Sequence, residues 1–87
     1  MSDNKKPVAK VSLYPISAAI WRNDGSKGEA FYNVTFKRTY KDEKGKWQNS
    51  VSFNAGDLLL LAKVADLAHT EISKLRAEDR EADQSDE

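Results

Sequence analysis

The feature that most constrains the fold is a long apolar helical pattern that begins directly after a short strand-like run. Residues 51–53 (Val-Ser-Phe) alternate in polarity, and Asn54, a preferred helix N-cap, follows them. Asp57 stands three residues later, where it is the acidic half of a capping box and suits the positive end of a helix dipole. We therefore predict that a strand passes directly into a helix at Asn54.

Two adjacent apolar stripes run along this helix as far as Leu75, and both follow three-and-four spacing. An isolated helix of this kind is unstable, because ordering its residues costs more free energy than the burial of its apolar side chains contributes. We predict that a sheet covers one stripe and that a second copy of the chain covers the other in a two-fold dimer. One broad core face in a monomer is the alternative. The predicted dimer contacts are Leu60, Leu61, Val64, Leu67 and Ala68.

Length and composition limit the class of protein. The chain has 87 residues and no cysteine, so it forms one domain at most and has neither disulfides nor thiolate metal sites. No apolar run approaches the roughly 18 residues of a membrane span. The first six residues do not resemble a secretory signal. We expect an intracellular protein, cytoplasmic or, in a bacterium, associated with the nucleoid.

Three segments upstream of the helix alternate between apolar and polar side chains, as strands with one wet face do. They cover residues 16–22, 30–40 and 47–53, the last with Val51 and Phe53 inward. A shorter β-prone segment at 8–14 ends at Pro15. Residues 23–28 and the charged hairpin 41–46 are predicted turns. We predict an α+β domain, an antiparallel sheet of three or four strands followed by one helix (ββββα), over residues 8–75. A disordered terminus is predicted at 1–7.

The charges are unevenly distributed, although the formal net charge is zero. Residues 5–53 hold ten basic and four acidic side chains, whereas residues 76–87 hold two basic and six acidic ones. A basic sheet favours a polyanionic partner. We expect residues 76–87 to be an acidic tail, a frayed helix with too little apolar surface to pack. It either stays solvated or competes with a polyanion for the basic sheet.

Aromatic and basic residues interleave on the predicted sheet and its hairpin. Single-stranded nucleic acid binding uses this combination, because bases stack on rings and phosphates pair with cations. Trp21 and Lys37 share parity with outward polar residues, whereas Tyr40 and Trp47 share parity with inward ones and are also candidates for the core edge. The candidate binding residues are Trp21, Arg22, Phe31, Lys37, Arg38, Tyr40, Lys41, Lys44, Lys46 and Trp47.

Enzymatic activity is poorly supported by the sequence and is the least favoured hypothesis. His69 is the only histidine, and no nucleophile or base lies at a spacing from it that would indicate a catalytic pair. We expect a structural or solvent-facing histidine. We also expect no catalytic residues, metal, cofactor or small-molecule substrate.

Three segments resemble one known family. These are the strand-to-helix junction Val51-Ser52-Phe53-Asn54, the strand end Phe36-Lys37-Arg38-Thr39-Tyr40 and the hairpin Lys41-Asp42-Glu43-Lys44-Gly45. Over residues 16–72 the chain is similar to the positive-cofactor-four transcriptional coactivators and their bacterial and phage relatives, which bind single-stranded DNA. The resemblance implies a curved four-stranded sheet per subunit and pairing through the helices.

The resemblance also implies roles for particular residues. Lys37 falls where the family has an arginine in the binding groove, and Tyr40 where it has a stacking tryptophan. Trp21 and Arg22 lie near the family's aromatic and basic pair before the first loop. The family's basic stretch before the last strand is shortened here to residues 46–49.

The sequence therefore predicts a non-catalytic homodimer that binds single-stranded DNA with little sequence preference, in transcription, replication or recombination. Stacking does not read the 2'-hydroxyl, so the pattern does not separate DNA from RNA. The alternative is a small dimeric interaction module whose helix or sheet edge docks a protein, with an incidental basic face.

Overall fold

The fold follows the predicted order of elements. A computed structural model describes residues 6–25 and 30–84, with side chains described up to residue 81. The described elements are β1 (Ala9–Leu13), β2 (Ile16–Asp24), β3 (Ala30–Lys41), β4 (Trp47–Ser50), a 3-10 turn (Ala55–Asp57) and α1 (Leu58–Gln84). The strands form one curved antiparallel sheet in the order β1-β2-β3-β4. The predicted ββββα fold is confirmed. The predictions for residues 1–5, 26–28 and 85–87 lie outside the described residues.

The centre of the core comes from β2, because its small and branched apolar residues alternate strictly. Ile16 and Ile20 are fully buried and Ala18 is 3% exposed. The register sets Ala18 opposite Phe36 and Ile20 opposite Val34, so these β3 side chains surround the same core. Helix α1 packs mainly against β1 and β2. The half of the sheet formed by β3 and β4 is consequently less covered on that side.

The stripe of α1 that faces the sheet includes residues we assigned to a dimer interface. Val64 and Ala68 are 0% and 1% exposed and belong to the core of the single chain. Leu60 and Leu61 are half-buried against that core, and Leu67 is also half-buried. A side chain without exposed surface cannot contact a partner. The assignment of Val64 and Ala68 as dimer contacts is therefore wrong, whereas dimerisation itself stays a prediction.

Helix α1 continues past Leu75 to Gln84, so the acidic segment extends the helix as its helix-forming residues predicted. Its extension is anchored by a polar contact: the Tyr32 hydroxyl donates a hydrogen bond to Asp79 Oδ2 at 2.6 Å. Arg22 Nη2 lies 3.7 Å from Asp79 Oδ1. The expectation that this segment does not pack is wrong at Asp79, because its carboxylate rather than an apolar stripe contacts the sheet.

Strand β4 differs from the prediction in both length and orientation. It ends at Ser50, whose hydroxyl accepts a hydrogen bond from the Ser52 backbone N–H at 2.9 Å. This bend leaves Val51 82% exposed while Phe53 still packs against the core. The predicted inward position of Val51 is therefore wrong. The prediction extended one alternation across a bend that interrupts it.

The start of the helix is tied to β3 by an ion pair. Asp57 is 8% exposed, and its Oδ2 accepts hydrogen bonds from the Asn54 backbone N–H at 2.9 Å and from Arg38 Nε at 2.6 Å. The predicted cap residues thus lie at the helix start, with a partner from the sheet that the local pattern did not reveal. Within the described ranges, no helix combines the length and apolar character that a bilayer span requires.

Candidate nucleic-acid interface

The side of the sheet that points away from α1, here called the outer face, is polar, aromatic and basic. In an antiparallel sheet, directly opposed residues share a face, so the register assigns every strand position to a side. Among the described strand residues, the outer face carries three lysines and no carboxylate. Its residues are Lys10, Ser12, Ser17, Ala19, Trp21, Asn23, Phe31, Asn33, Thr35, Lys37, Thr39, Lys41, Trp47 and Asn49.

A groove of about 790 Å³ crosses the outer face. All four strands contribute to its lining, including Lys10 from β1, Trp21 from β2, Lys37 from β3 and Asn49 from β4. Serine and threonine hydroxyls lie between these larger side chains. A groove with an aromatic ring, two cations and neutral hydrogen-bonding groups can hold an extended polyanion whose bases stack.

The indole of Trp21 is held in place within this groove. Its Nε1–H donates a hydrogen bond to Thr35 Oγ1 on the neighbouring strand at 3.0 Å. Next to it on the outer face, Asn23 Nδ2 donates to Asn33 Oδ1 at 2.6 Å. A ring fixed by such a bond loses less conformational freedom when a base stacks on it.

The hairpin 41–46 is organised around one carboxylate. Asp42 accepts hydrogen bonds from the backbone N–H groups of Lys44 and Lys46, each at 2.9 Å, and from the Gln48 amide at 3.0 Å. The Lys46 N–H contributes most to a lowered pKa of Asp42, followed by Gln48. Gly45 adopts a positive φ of 79°, which a glycine tolerates at this turn. The turn therefore presents the exposed side chains of Lys44 and Lys46 on a rigid backbone.

Five of the ten candidate residues lie on the outer face: Trp21, Phe31, Lys37, Lys41 and Trp47. Trp47 shares the side of Lys41 because the two residues are directly opposed. The sequence parity had grouped Trp47 with inward residues, which is wrong for the same reason as for Val51. Phe31 is 55% exposed at the start of β3. Lys44 and Lys46 lie on the hairpin that extends this face.

Three candidates, Arg22, Arg38 and Tyr40, lie instead on the side of α1. Their parity with the buried residues of β2 and β3 requires this position, so grouping them with the outer surface is corrected. Arg38 pairs with Asp57, and its guanidinium carbon lies 6.0 Å from the centre of the Tyr40 ring. Tyr40 lies on this side near the hairpin end of β3, in keeping with its predicted alternative position at the core edge, and is 37% exposed.

Arg22 forms a small polar cluster with Tyr32 and Asp79. Its pKa is raised, first by a hydrogen bond with Tyr32 and then by the Asp79 carboxylate. Burial raises the pKa of Tyr32, and the hydrogen bond that it donates to Asp79 adds to this effect. The cluster therefore favours a charged arginine and a neutral phenol, and it engages the Arg22 charge within the chain.

Sequence reasoning missed two residues of this surface, Lys10 and Tyr14. Lys10 could have been found from the alternation of β1, which places Ala9 and Val11 inward. Tyr14 lies in the turn before β2, and only the tertiary structure brings it to Trp47. His69 is exposed on α1, which agrees with the predicted solvent-facing position rather than the structural one. In the described part of the chain, no cluster of three or more His, Cys, Asp or Glu side chains is arranged to hold a metal ion.

No protein-family model, curated protein or solved structure matches this chain. The resemblance to the positive-cofactor-four coactivators therefore stays a prediction. The interpretation of the site depends on the geometry of the outer face.

Proposed function

We propose that this protein binds single-stranded DNA along the outer face of its sheet, without catalysis and with little sequence preference. The observation that carries the proposal is the groove that joins Trp21 to Lys10 and Lys37 on a face whose described strand residues include no carboxylate. Rings supply stacking that tolerates any base, and lysines supply sequence-independent attraction to phosphates. Because stacking does not read the 2'-hydroxyl, single-stranded RNA is a ligand of the same chemistry.

We also propose that the binding unit is a homodimer. Leu58 and Leu59 are 54% and 86% exposed at the start of α1. These two leucines replace Val64 and Ala68 as the proposed apolar contact. A second copy of the chain would remove them from water and extend the basic surface.

The test is a fluorescence anisotropy titration of labelled oligothymidine at low salt. We expect binding that weakens with salt, and Lys37→Ala should weaken it further and reduce the salt slope by about 0.7. Lys63→Ala is the matched control, because it removes the same charge from an exposed position on α1. No binding at tens of micromolar protein would overturn the proposal and favour the interaction module. Equal losses in both variants would show that the outer face is not the specific site.

A further inference from the structure

A second aromatic cluster lies at the hairpin end of the outer face. Tyr14, in the turn between β1 and β2, and Trp47, the first residue of β4, have ring centroids 6.3 Å apart and planes inclined at 82°. This edge-to-face geometry is one that aromatic pairs prefer. Tyr14 is nevertheless 73% exposed and Trp47 57% exposed, so most of the Tyr14 ring stays open to solvent.

A cation completes the cluster. Lys41 Nζ lies 5.2 Å from the centre of the Trp47 ring, within the range of a cation–π contact. Lys41 and Trp47 are opposed in the register, so both point to the outer face. The cluster thus combines an open aromatic ring, a second ring that packs against it and an ammonium group that can reach a phosphate.

The cluster and Trp21 mark opposite ends of the same surface. Trp21 is opposed to Asn33 and Trp47 to Lys41, so the two tryptophans are eight positions apart along β3, or about 26 Å. Lys37 lies midway between them along β3, in the groove that Trp21 lines, and Asn49, two residues from Trp47, lines the same groove. Aromatic side chains at both ends of a basic face suit one continuous strand better than a single bound base.

We propose that Tyr14, Trp47 and Lys41 form a second stacking subsite, and that one single strand of nucleic acid occupies both ends of the outer face. Tyr14 supplies the surface for the base, Trp47 orients the Tyr14 ring, and Lys41 neutralises the adjacent phosphate. This inference depends on the proposed function. It adds a residue, Tyr14, that neither the sequence pattern nor the resemblance indicated, and it requires a minimum length of strand.

The test uses the two tryptophans as separate reporters, since the chain contains only these two. Trp47→Phe leaves Trp21 as the fluorophore, and Trp21→Phe leaves Trp47. Each variant is titrated with oligothymidines of about 4 to 16 nucleotides, the range of site sizes known for single-strand-binding OB folds. We expect the longest strands to change the emission of both tryptophans. The second subsite should strengthen the binding only of strands that are long enough to reach both ends of the outer face.

Tyr14→Ala in the chain with both tryptophans tests the subsite by affinity. It should weaken binding of the longest strands by about 5- to 150-fold, the range for one lost stacked base, and leave the shortest unchanged. Tyr14→Phe keeps the ring and should retain the wild-type affinity.

Two results would overturn the second subsite while leaving the proposed function intact. One is a saturating long strand that changes Trp21 emission but not Trp47 emission. The other is a folded Tyr14→Ala protein with wild-type affinity at every length. Absence of binding by any length would instead count against the proposed function itself.

Discussion

Lys37 and Arg38 are neighbours in the chain and carry the same charge, yet they lie on opposite sides of the sheet. Lys37 is exposed in the groove of the outer face, where its charge is available to a ligand. Arg38 lies on the side of α1 and is bound to Asp57, with 24% of its side chain exposed. Alternation along one strand thus separates a binding role from a structural one.

This separation predicts different effects on stability. Arg38→Ala should lower the free energy of unfolding by about 1.5 to 3 kcal/mol, because it removes a charge-assisted hydrogen bond and leaves the buried Asp57 carboxylate without its cation. Lys37→Ala is the neighbouring control and should change stability by no more than about 0.5 kcal/mol. Urea unfolding followed by circular dichroism measures both. Equal stability of the two variants would show that the Arg38–Asp57 contact does not hold the helix to the sheet.

At the scale of elements, two polar contacts position α1 on the sheet. Arg38–Asp57 lies at the start of the helix and Tyr32–Asp79 lies near its described end, with the buried Val64 and Ala68 between them. Apolar burial supplies the attraction between the layers, but it is not directional. The two carboxylates therefore fix the direction of the helix across the sheet.

The Tyr32–Asp79 contact predicts a dependence on alkaline pH. The folded chain favours the neutral phenol, so its pKa lies above the ordinary 10.0. The stabilisation is complete below that ordinary value and is lost as pH rises through the raised pKa. Near pH 8, Tyr32→Phe should lower the unfolding free energy by about 0.5 to 1.5 kcal/mol. The difference from wild type should shrink at higher pH.

Unfolding curves across this pH range check the prediction, with Tyr14→Phe as the control for an exposed tyrosine. A Tyr32→Phe protein as stable as wild type at neutral pH would contradict it. So would a difference in stability that persisted unchanged above the raised pKa.

The elements could be predicted from sequence wherever one local pattern determined them. Strict alternation identified β2 and β3, and the cap residues with the three-and-four spacing identified the start of α1. The prediction failed where a short interaction interrupted a pattern. Strand β4 ends at the Ser50–Ser52 bend. The prediction carried one alternation through this bend, so it placed Val51 inward and grouped Trp47 with the inward residues. The sequence did not reveal the contact of Asp79 with Tyr32, because the two residues are 47 positions apart.

The site could be predicted only in part. Residue types and parity identified Trp21 and Lys37, which the structure places in one groove. They did not reveal that Arg38 is paired with Asp57 or that Arg22, which also contacts the nearby Asp24 at 3.3 Å, reaches Asp79, because Asp57 and Asp79 are distant in the chain. They did not reveal the contact of Tyr14 with Trp47 for the same reason.

At the scale of the whole molecule, the chain is thin and elongated. It measures 57 × 33 × 17 Å, and its radius of gyration is 16.0 Å, against about 12 Å for a compact domain of this length. The 17 Å dimension is that of one sheet and one helix. Since α1 packs mainly on β1 and β2, the α1 side of β3 and β4 is less covered. Leu58 and Leu59, which follow β4 and the 3-10 turn in the chain, are also exposed.

The shape predicts a dimer in solution. Sedimentation at micromolar concentration should give about twice the chain mass of 9.8 kDa, as a two-fold assembly requires. Leu59→Asp should give a folded monomer, because Leu59 is 86% exposed and contributes little to the core of one chain. Ser73→Asp, exposed further along α1, is the matched control and should stay dimeric. A monomeric wild-type protein would refute the dimer.

The most direct test of the central claim is a map of where a single strand touches the chain. In ¹H–¹⁵N spectra recorded during titration with oligothymidine, we expect shifts of the Lys10 and Lys37 amides and of the Trp21 indole N–H. The amides of Lys63 and Ser73, on the exposed side of α1, should not shift. Perturbations confined to α1, or a saturated complex in which the Trp21 indole signal is unchanged, would contradict a binding site on the outer face of the sheet.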